Sequence, residues 1–292
     1  MSEPMSAPTG RAEVRRTCKL FVGGAFPRSE SGRSYVVSAA DGTPLANAAL
    51  ASRKDARDAV VAARGALFGW AGATAYNRGQ VLYRVAEMLE GRHAQLAAEV
   101  GLAEGLRPAA ARRVVEACVD RLVWYAGWAD KVAQVLGASN PVAGPYFNFS
   151  VPEPTGVVAL LAPQKSSLLG LVSVLAPVVV TGNTAVVVAS EERPVPAVSF
   201  AEALATGDVP AGVVNVLTGR TAELAPVLAG HMDVDGIDIT GAPYRARKEL
   251  ERLAAANLKR VLALDDVPET HPTLRRTRAF VEIKTVWHPV GT

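Results

Sequence analysis

GVVALLAPQKSSLLGLVSVLAPVVVTGNTAVVVASEERP runs from Gly156 to Pro194, and its reading decides the fold. Gly156–Ala162 is a short apolar run of β-forming residues. Pro163-Gln164-Lys165-Ser166-Ser167 interrupts it, and either serine can cap the helix that follows. Leu168–Val180 is apolar on every side, the pattern of a buried crossover helix, and Gly182-Asn183 stops it. Ala185–Val188 is again wholly apolar, as expected of a strand covered on both faces. Two parallel strands need such a crossover, and the connection is right-handed by rule.

Downstream the same alternation repeats. Val213–Leu217, Gly236–Ile239 and Val261–Leu264 read as strands. Val195–Ala205, Ala222–Leu228 and Tyr244–Ala255 read as helices between them. Alternating strand and helix predicts an open parallel α/β sheet with helices on both faces, and such sheets take ligands at the carboxyl ends of their strands.

Upstream, residues 1–17 are small, polar and proline-containing and read as a mobile tail. Lys19–Gly24 and Tyr35–Ala39 read as two strands of a small sheet. Helices then dominate to about residue 136. Ser52 with Asp55 forms an acidic capping box, Asn77 can cap a second helix, and Pro108 suits the first position of a third. The third helix sets Val115, Cys118, Leu122 and Tyr125 on one face, so Cys118 reads as a packed thiol rather than a nucleophile. Trp124, Tyr125 and Trp128 cluster as core or as a subunit contact, and the sequence leaves that choice open. Tyr146–Val151 alternates as a half-buried edge strand.

Bulk properties narrow the class. The 292 residues are 49% hydrophobic and 20% charged, an ordinary globular composition. A net charge of +3 with signs interspersed gives no case for nucleic acid or an anionic membrane as partner. The longest apolar run carries Pro177 and is too short to span a bilayer, and the first residues lack the apolar core of a secretory signal. Two distant cysteines fit no metal spacing, and a reducing, cytoplasmic setting is the default expectation.

Gly156-Val157-Val158, Pro163, Ala176-Pro177, Gly182-Asn183-Thr184, Glu191 and Pro194 fall in register with the cofactor domain of the aldehyde dehydrogenase superfamily, which this stretch resembles. KLFVGGAF, DVPAGVVNVLTG, HMDVDGIDITG and AAANLKRV resemble further segments of that family in order. After about Asp266 the family pattern stops, and RAFVEIKTVWHPVGT resembles the family's C-terminal strand. The resemblance implies an α/β fold with an open parallel Rossmann-like sheet, an N-terminal helical region, and a small β oligomerisation element built from residues near 137–155 and 278–290. The implied division is a tail at 1–17, an N-terminal part at 18–136, oligomerisation strands at 137–155 and 278–292, a cofactor-binding core at 156–266, and a linker at 267–277 in place of a catalytic domain.

The chemistry of that family needs a cysteine thiolate, an oxyanion hole, a general base and a bound nicotinamide. Both cysteines, Cys18 and Cys118, precede the cofactor core. The oxyanion asparagine falls on Lys165 and the general base on Leu264; Asp265, as a strand neighbour, points to the opposite face. No catalytic residue is therefore assigned. The resemblance places cofactor contacts at Pro163, Glu191, Gly219, Thr240, Gly241 and Ala242. The ribose-binding lysine falls on Val188, and glycines of the phosphate turns fall on Thr221 and Ala246, so NAD or NADP is expected to bind weakly or not at all. Lys165, Arg245 and Arg247 can form an anion pocket or stand as solvated surface charges, and His231, His271 and His288 read as structural.

Three readings compete. One is a catalytically silent subunit that oligomerises with itself or with a full-length aldehyde dehydrogenase. The second is an NAD(P)-dependent aldehyde oxidoreductase with altered site residues. The third is a module that binds NAD without turnover.

Overall fold

The computed structural model describes residues 15–264 and 271–291. Chain order begins with β1 (Arg16–Cys18), β2 (Ser34–Ser38) and β3 (Pro44–Ala49). Five helices follow: α1 (Arg53–Gly72), α2 (Ala75–Gly91), α3 (His93–Glu104), α4 (Pro108–Trp128) and α5 (Val132–Leu136). Next come β4 (Ala138–Asn140) and β5 (Tyr146–Pro154). The alternating half is β6 (Val157–Leu161), α6 (Leu169–Val179), β7 (Thr184–Val188), α7 (Val195–Thr206), β8 (Val214–Leu217), α8 (Thr221–Gly230), β9 (Gly236–Asp238), α9 (Tyr244–Ala254) and β10 (Arg260–Leu262). The chain closes with α10 (Arg275–Ala279) and β11 (Val281–Pro289).

The parallel sheet has the order β10-β9-β6-β7-β8, with β6 at its centre. β6 and β7 are buried along their whole length, which is why both read as unbroken apolar runs. Period-2 alternation divides their side chains between two cores. Val158, Leu160 and Val187 meet α2, α4, α6 and α7 on one face. Val157, Leu161 and Val188 meet α1, α8 and α9 on the other. The open parallel sheet is thus as the sequence predicts.

Local signals explain the element ends. Ser52 Oγ accepts from Lys54 N and Asp55 N while the Asp55 carboxylate accepts from Ser52 N at 2.7 Å, closing the box that starts α1. Ser166 Oγ accepts from Gly170 N at 2.9 Å in the first turn of α6. Gly182 ends the connection to β7 at φ +98°, where a side chain is disfavoured.

Several expectations need correction. Residues 16–17 are not tail: β1 pairs in parallel with β3, Arg16 opposite Ala46. The segment Lys19–Gly24 is not a strand; Phe21 makes a single bridge to Val216, and Val22 pairs with Ala25 in a turn. The sequence reading lacks β3 because PLANAA offers small residues and a proline rather than β-branched ones. It also lacks α3. The cap of α2 is Thr74, whose Oγ1 accepts from Asn77 N, so Asn77 is the donor and not the cap. Residues 275–277 belong to α10, with Arg276 and Thr277 buried, rather than to a linker. The tail at 1–14, Asp265 and the linker's start at 267–270 lie outside the described residues.

The third sheet, β11-β5-β4, is antiparallel. Its strands join residues far apart in sequence, Val281↔Pro154 through Pro289↔Tyr146. The stretches near 137–155 and 278–290 thus form one small β element within the chain, as the resemblance implies.

Candidate functional site

The carboxyl ends of the parallel strands carry the candidate site. Here the loops after β6, β7, β8 and β9 converge, and the residues singled out from sequence fall into two joined groups.

The first group surrounds β6 and β9. Gly241 N donates to Leu161 O at 3.0 Å, and a Cβ at Gly241 would lie 2.0 Å from Ala162 O. Only glycine allows the two loops to lie this close. Pro163 packs beneath Gly170, where a Cβ would sit 2.9 Å from the proline ring. Ala242 and Thr240 are buried. Thr240 Oγ1 accepts from Leu264 N at 3.3 Å, which puts Leu264 beside the turn after β9.

The second group surrounds β7 and β8. Glu191 Oε1 accepts from Arg220 Nη1, and Oε2 accepts from Thr221 N at 3.1 Å, the first amide of α8. Tyr35 of β2 donates its hydroxyl to Glu191 O at 2.9 Å, and the Arg220 guanidinium lies 5.5 Å from the centre of the Tyr35 ring. Burial and the neighbouring Glu191 carboxylate push the Tyr35 hydroxyl pKa well up, so it stays a donor. Gly219, at φ +144°, shapes the turn that delivers Arg220. Gln164 joins the groups, donating to Ala162 O at 2.8 Å and accepting from Glu191 N at 2.9 Å.

The contacts of three residues at this end were not legible beforehand. Asp238, at the end of β9, is fully buried and pairs with Arg276 of α10 at 2.9 Å. Arg247 of α9 spends its guanidinium on the carbonyls of Thr240, Ala242 and Leu264, at 2.8 to 3.3 Å. It is a clasp on the strand ends and is neither a solvated surface charge nor grouped with Lys165 and Arg245. Lys165 and Arg245 stand exposed on the rim. The sequence carries no signal for these contacts, because each spans a loop or a crossover.

The thiols lie elsewhere. Cys18 ends β1 and Cys118 sits inside α4, and both are free and buried. Burial raises both thiol pKa values above the ordinary range. His231 accepts from Asp233 N at 3.1 Å in a turn, and burial lowers its pKa. Among the described residues, no group of three or more His, Cys, Asp or Glu side chains is placed to hold a metal ion. Among the same residues, no helix is long and apolar enough to cross a membrane.

The sequence model described as the aldehyde dehydrogenase family matches residues 26–264. Retinal dehydrogenase 2 of Gallus gallus is 34% identical over 262 residues, which cover 88% of this chain and 50% of that protein. Cytosolic aldehyde dehydrogenase 1 of Elephantulus edwardii is 31% identical over 262 residues, with 88% and 52% covered. Among solved structures, the NAD+ complex of aldehyde dehydrogenase from Bacillus cereus superposes with a TM-score of 0.79 at 27% identity, over 84% of this chain and 50% of that one. HpcC from Thermus thermophilus gives 0.80 at 29% identity, over 84% and 47%. The chain spans about half the length of the curated relatives it matches.

Proposed function

Because the chain belongs to the aldehyde dehydrogenase family, we propose that it is a subunit that assembles through its β11-β5-β4 sheet, with itself or with an active aldehyde dehydrogenase, and does not oxidise aldehydes alone. The observation that carries the reading is the burial of both thiols: Cys18 is 1% and Cys118 0% exposed. A covalent step needs a thiolate that substrate can reach. Lys165 offers an exposed, flexible charge where the family has a fixed amide donor, and Leu264 offers no base.

The cofactor positions support the same reading. Glu191 is the carboxylate that would receive a ribose diol, and Arg220 with the α8 amide already occupies both of its oxygens. Val188 supplies no cation beside it. These residues do not fit a tightly held dinucleotide, so NAD or NADP binds weakly or not at all, and no reaction step is routed through it. Two buried, unpaired thiols suit a reducing, cytoplasmic setting.

The second reading, an NAD(P)-dependent oxidoreductase or an NAD-binding module, is favoured by one observation. Gly241 is kept bare where a loop crosses β6, as a nucleotide turn requires. One experiment separates the readings. The purified chain is titrated with NAD+ by calorimetry and assayed for aldehyde-dependent NADH formation. The subunit reading expects no turnover and no saturation at millimolar NAD+. Micromolar binding would favour the module, and thiol-dependent NADH formation would establish the oxidoreductase.

A further inference from the structure

Three cations converge on a small cavity near the start of the described chain. Lys19, just after β1, and Arg28 and Arg33, in the connection to β2, line a cavity of about 170 Å³ against Ala49 of β3. All three are exposed. No acidic residue is among those lining the cavity. Among the described residues, Lys19 and Arg28 have no side-chain partner, and the Arg33 guanidinium gives only its Nε to Ser31 Oγ, at 3.4 Å. Thr17 and Ser34 line the same cavity, and among the described residues neither hydroxyl is hydrogen-bonded. The carboxylates of this region are committed to the start of α1 instead. Glu30 accepts from Ser52 Oγ at 2.9 Å, and Asp55 accepts from Ser29 Oγ at 2.7 Å.

The backbone holds this arrangement in place. Gly32 N donates to Ser29 O at 2.9 Å, and Gly32 takes φ +66°, closing the tight turn that separates Arg28 from Arg33. Ser29 Oγ and Glu30 N tie that turn to α1 through the Asp55 carboxylate. Like charges around a concave surface focus a positive potential into it. No described residue neutralises that potential, so the compensating anion comes from outside the chain. The cavity is several times the roughly 30 Å³ that one water takes in the liquid, so it admits a polyatomic anion. Guanidinium forks grip oxyanions by setting two N–H groups against two oxygens. A carboxylate brings two oxygens and a single charge. A phosphomonoester brings three terminal oxygens and close to two charges near neutral pH, which suits three converging cations better. None of the lining residues is an exposed large hydrophobic of the kind that anchors a peptide, so the ester belongs to a small molecule.

We propose that Lys19, Arg28 and Arg33 form a binding site for the terminal phosphate of a small phosphomonoester. The site shares no residue with the group at the carboxyl ends of the parallel strands, so it holds or fails independently of the subunit reading.

Calorimetric titration of the full chain with methyl phosphate tests it, with acetate and a short phosphoserine peptide as comparison ligands. Lys19→Ala and Arg28→Ala remove side chains that have no other partner among the described residues, so both variants are expected to fold and melt like the unsubstituted protein. Arg112→Ala removes an exposed arginine of α4 that lies outside the cavity, and it serves as the control for overall charge. The proposal expects saturable, millimolar binding of methyl phosphate. Either cavity substitution removes one charge-assisted contact and is expected to weaken binding about tenfold, whereas Arg112→Ala leaves it unchanged. Acetate is expected to bind about tenfold more weakly than methyl phosphate. A titration with methyl phosphate that does not saturate overturns the proposal. So does equal weakening by Arg112→Ala, or acetate binding as tight as methyl phosphate. Binding of the phosphoserine peptide about tenfold tighter than methyl phosphate would overturn the small-molecule assignment, because contacts beyond the phosphate would then carry recognition.

Discussion

At the scale of single residues, local contacts were legible and distant ones were not. Ser52 and Asp55 announce themselves because a capping box closes within one turn. The position of Glu191 was legible, but its engagement by Arg220 spans 29 residues and depends on how two loops meet. Asp238 is the sharpest case. A carboxylate on a fully buried strand needs a cation, and the partner, Arg276, comes 38 residues later from a helix that the sequence presented as linker. Asp238 also accepts from Thr240 N at 2.9 Å, so the pair fixes the start of the turn after β9. Removing one member of a buried pair strands the other, at a cost of about 3–5 kcal/mol. Arg276→Met is therefore expected to lower stability by about 3 kcal/mol in urea titration. Adding Asp238→Asn should recover part of that loss, because no charge is then left unpaired. Strictly additive losses in the double-mutant cycle would show that the two side chains do not act as a pair.

At the scale of elements, the sequence is informative where periodicity is long and apolar. β6, β7 and α6 are unbroken apolar runs, and each lies within two residues of its predicted place. β3 is built of alanine, asparagine and proline, and it exists because β1 and β2 flank it on both sides. Tertiary pairing overrides weak propensity there. The helix α1 spans the other face of the parallel sheet and carries Ala56, Ala59, Val60 and Ala63 into the core. Its start is held by one residue pair. Ser52→Ala leaves the Asp55 amide without its acceptor and is expected to cost about 1 kcal/mol in thermal or urea unfolding, whereas Ser52→Gly costs only a few tenths. Asp55→Ala should cost more than Ser52→Ala. The Asp55 carboxylate also accepts from Ser29 Oγ at 2.7 Å and Glu30 N at 3.1 Å, tying α1 to the loop before β2. Equal losses for the two substitutions would mean that this loop contact contributes nothing.

At the scale of the whole molecule, the two cores on either side of the sheet decide what its thiols can do. Cys118 is enclosed where α4 packs against the sheet-facing helices, among the residues that form the larger core. Desolvation there favours the neutral thiol and raises its pKa far above that of an exposed cysteine. An unfolded chain has no such environment, and its thiol ionises near pH 8.5, roughly. Below that pH both states hold the proton, and pH has no leverage through this group. Above it the unfolded chain releases a proton that the folded chain retains, so the contribution of Cys118 to stability falls as pH rises. The fall approaches about 1.4 kcal/mol per pH unit. Other groups titrate in the same alkaline window, so the comparison is made with Cys118→Ala, which shares all of them. The stability difference between the two proteins, measured by urea unfolding across that window, is expected to shrink as pH increases. The same enclosure predicts that thiol reagents leave the native protein unmodified and label it only once it is unfolded. A difference that stays constant with pH, together with rapid native labelling, would place a thiol in reach of solvent. That result would remove the main physical reason for regarding the chain as silent toward aldehydes.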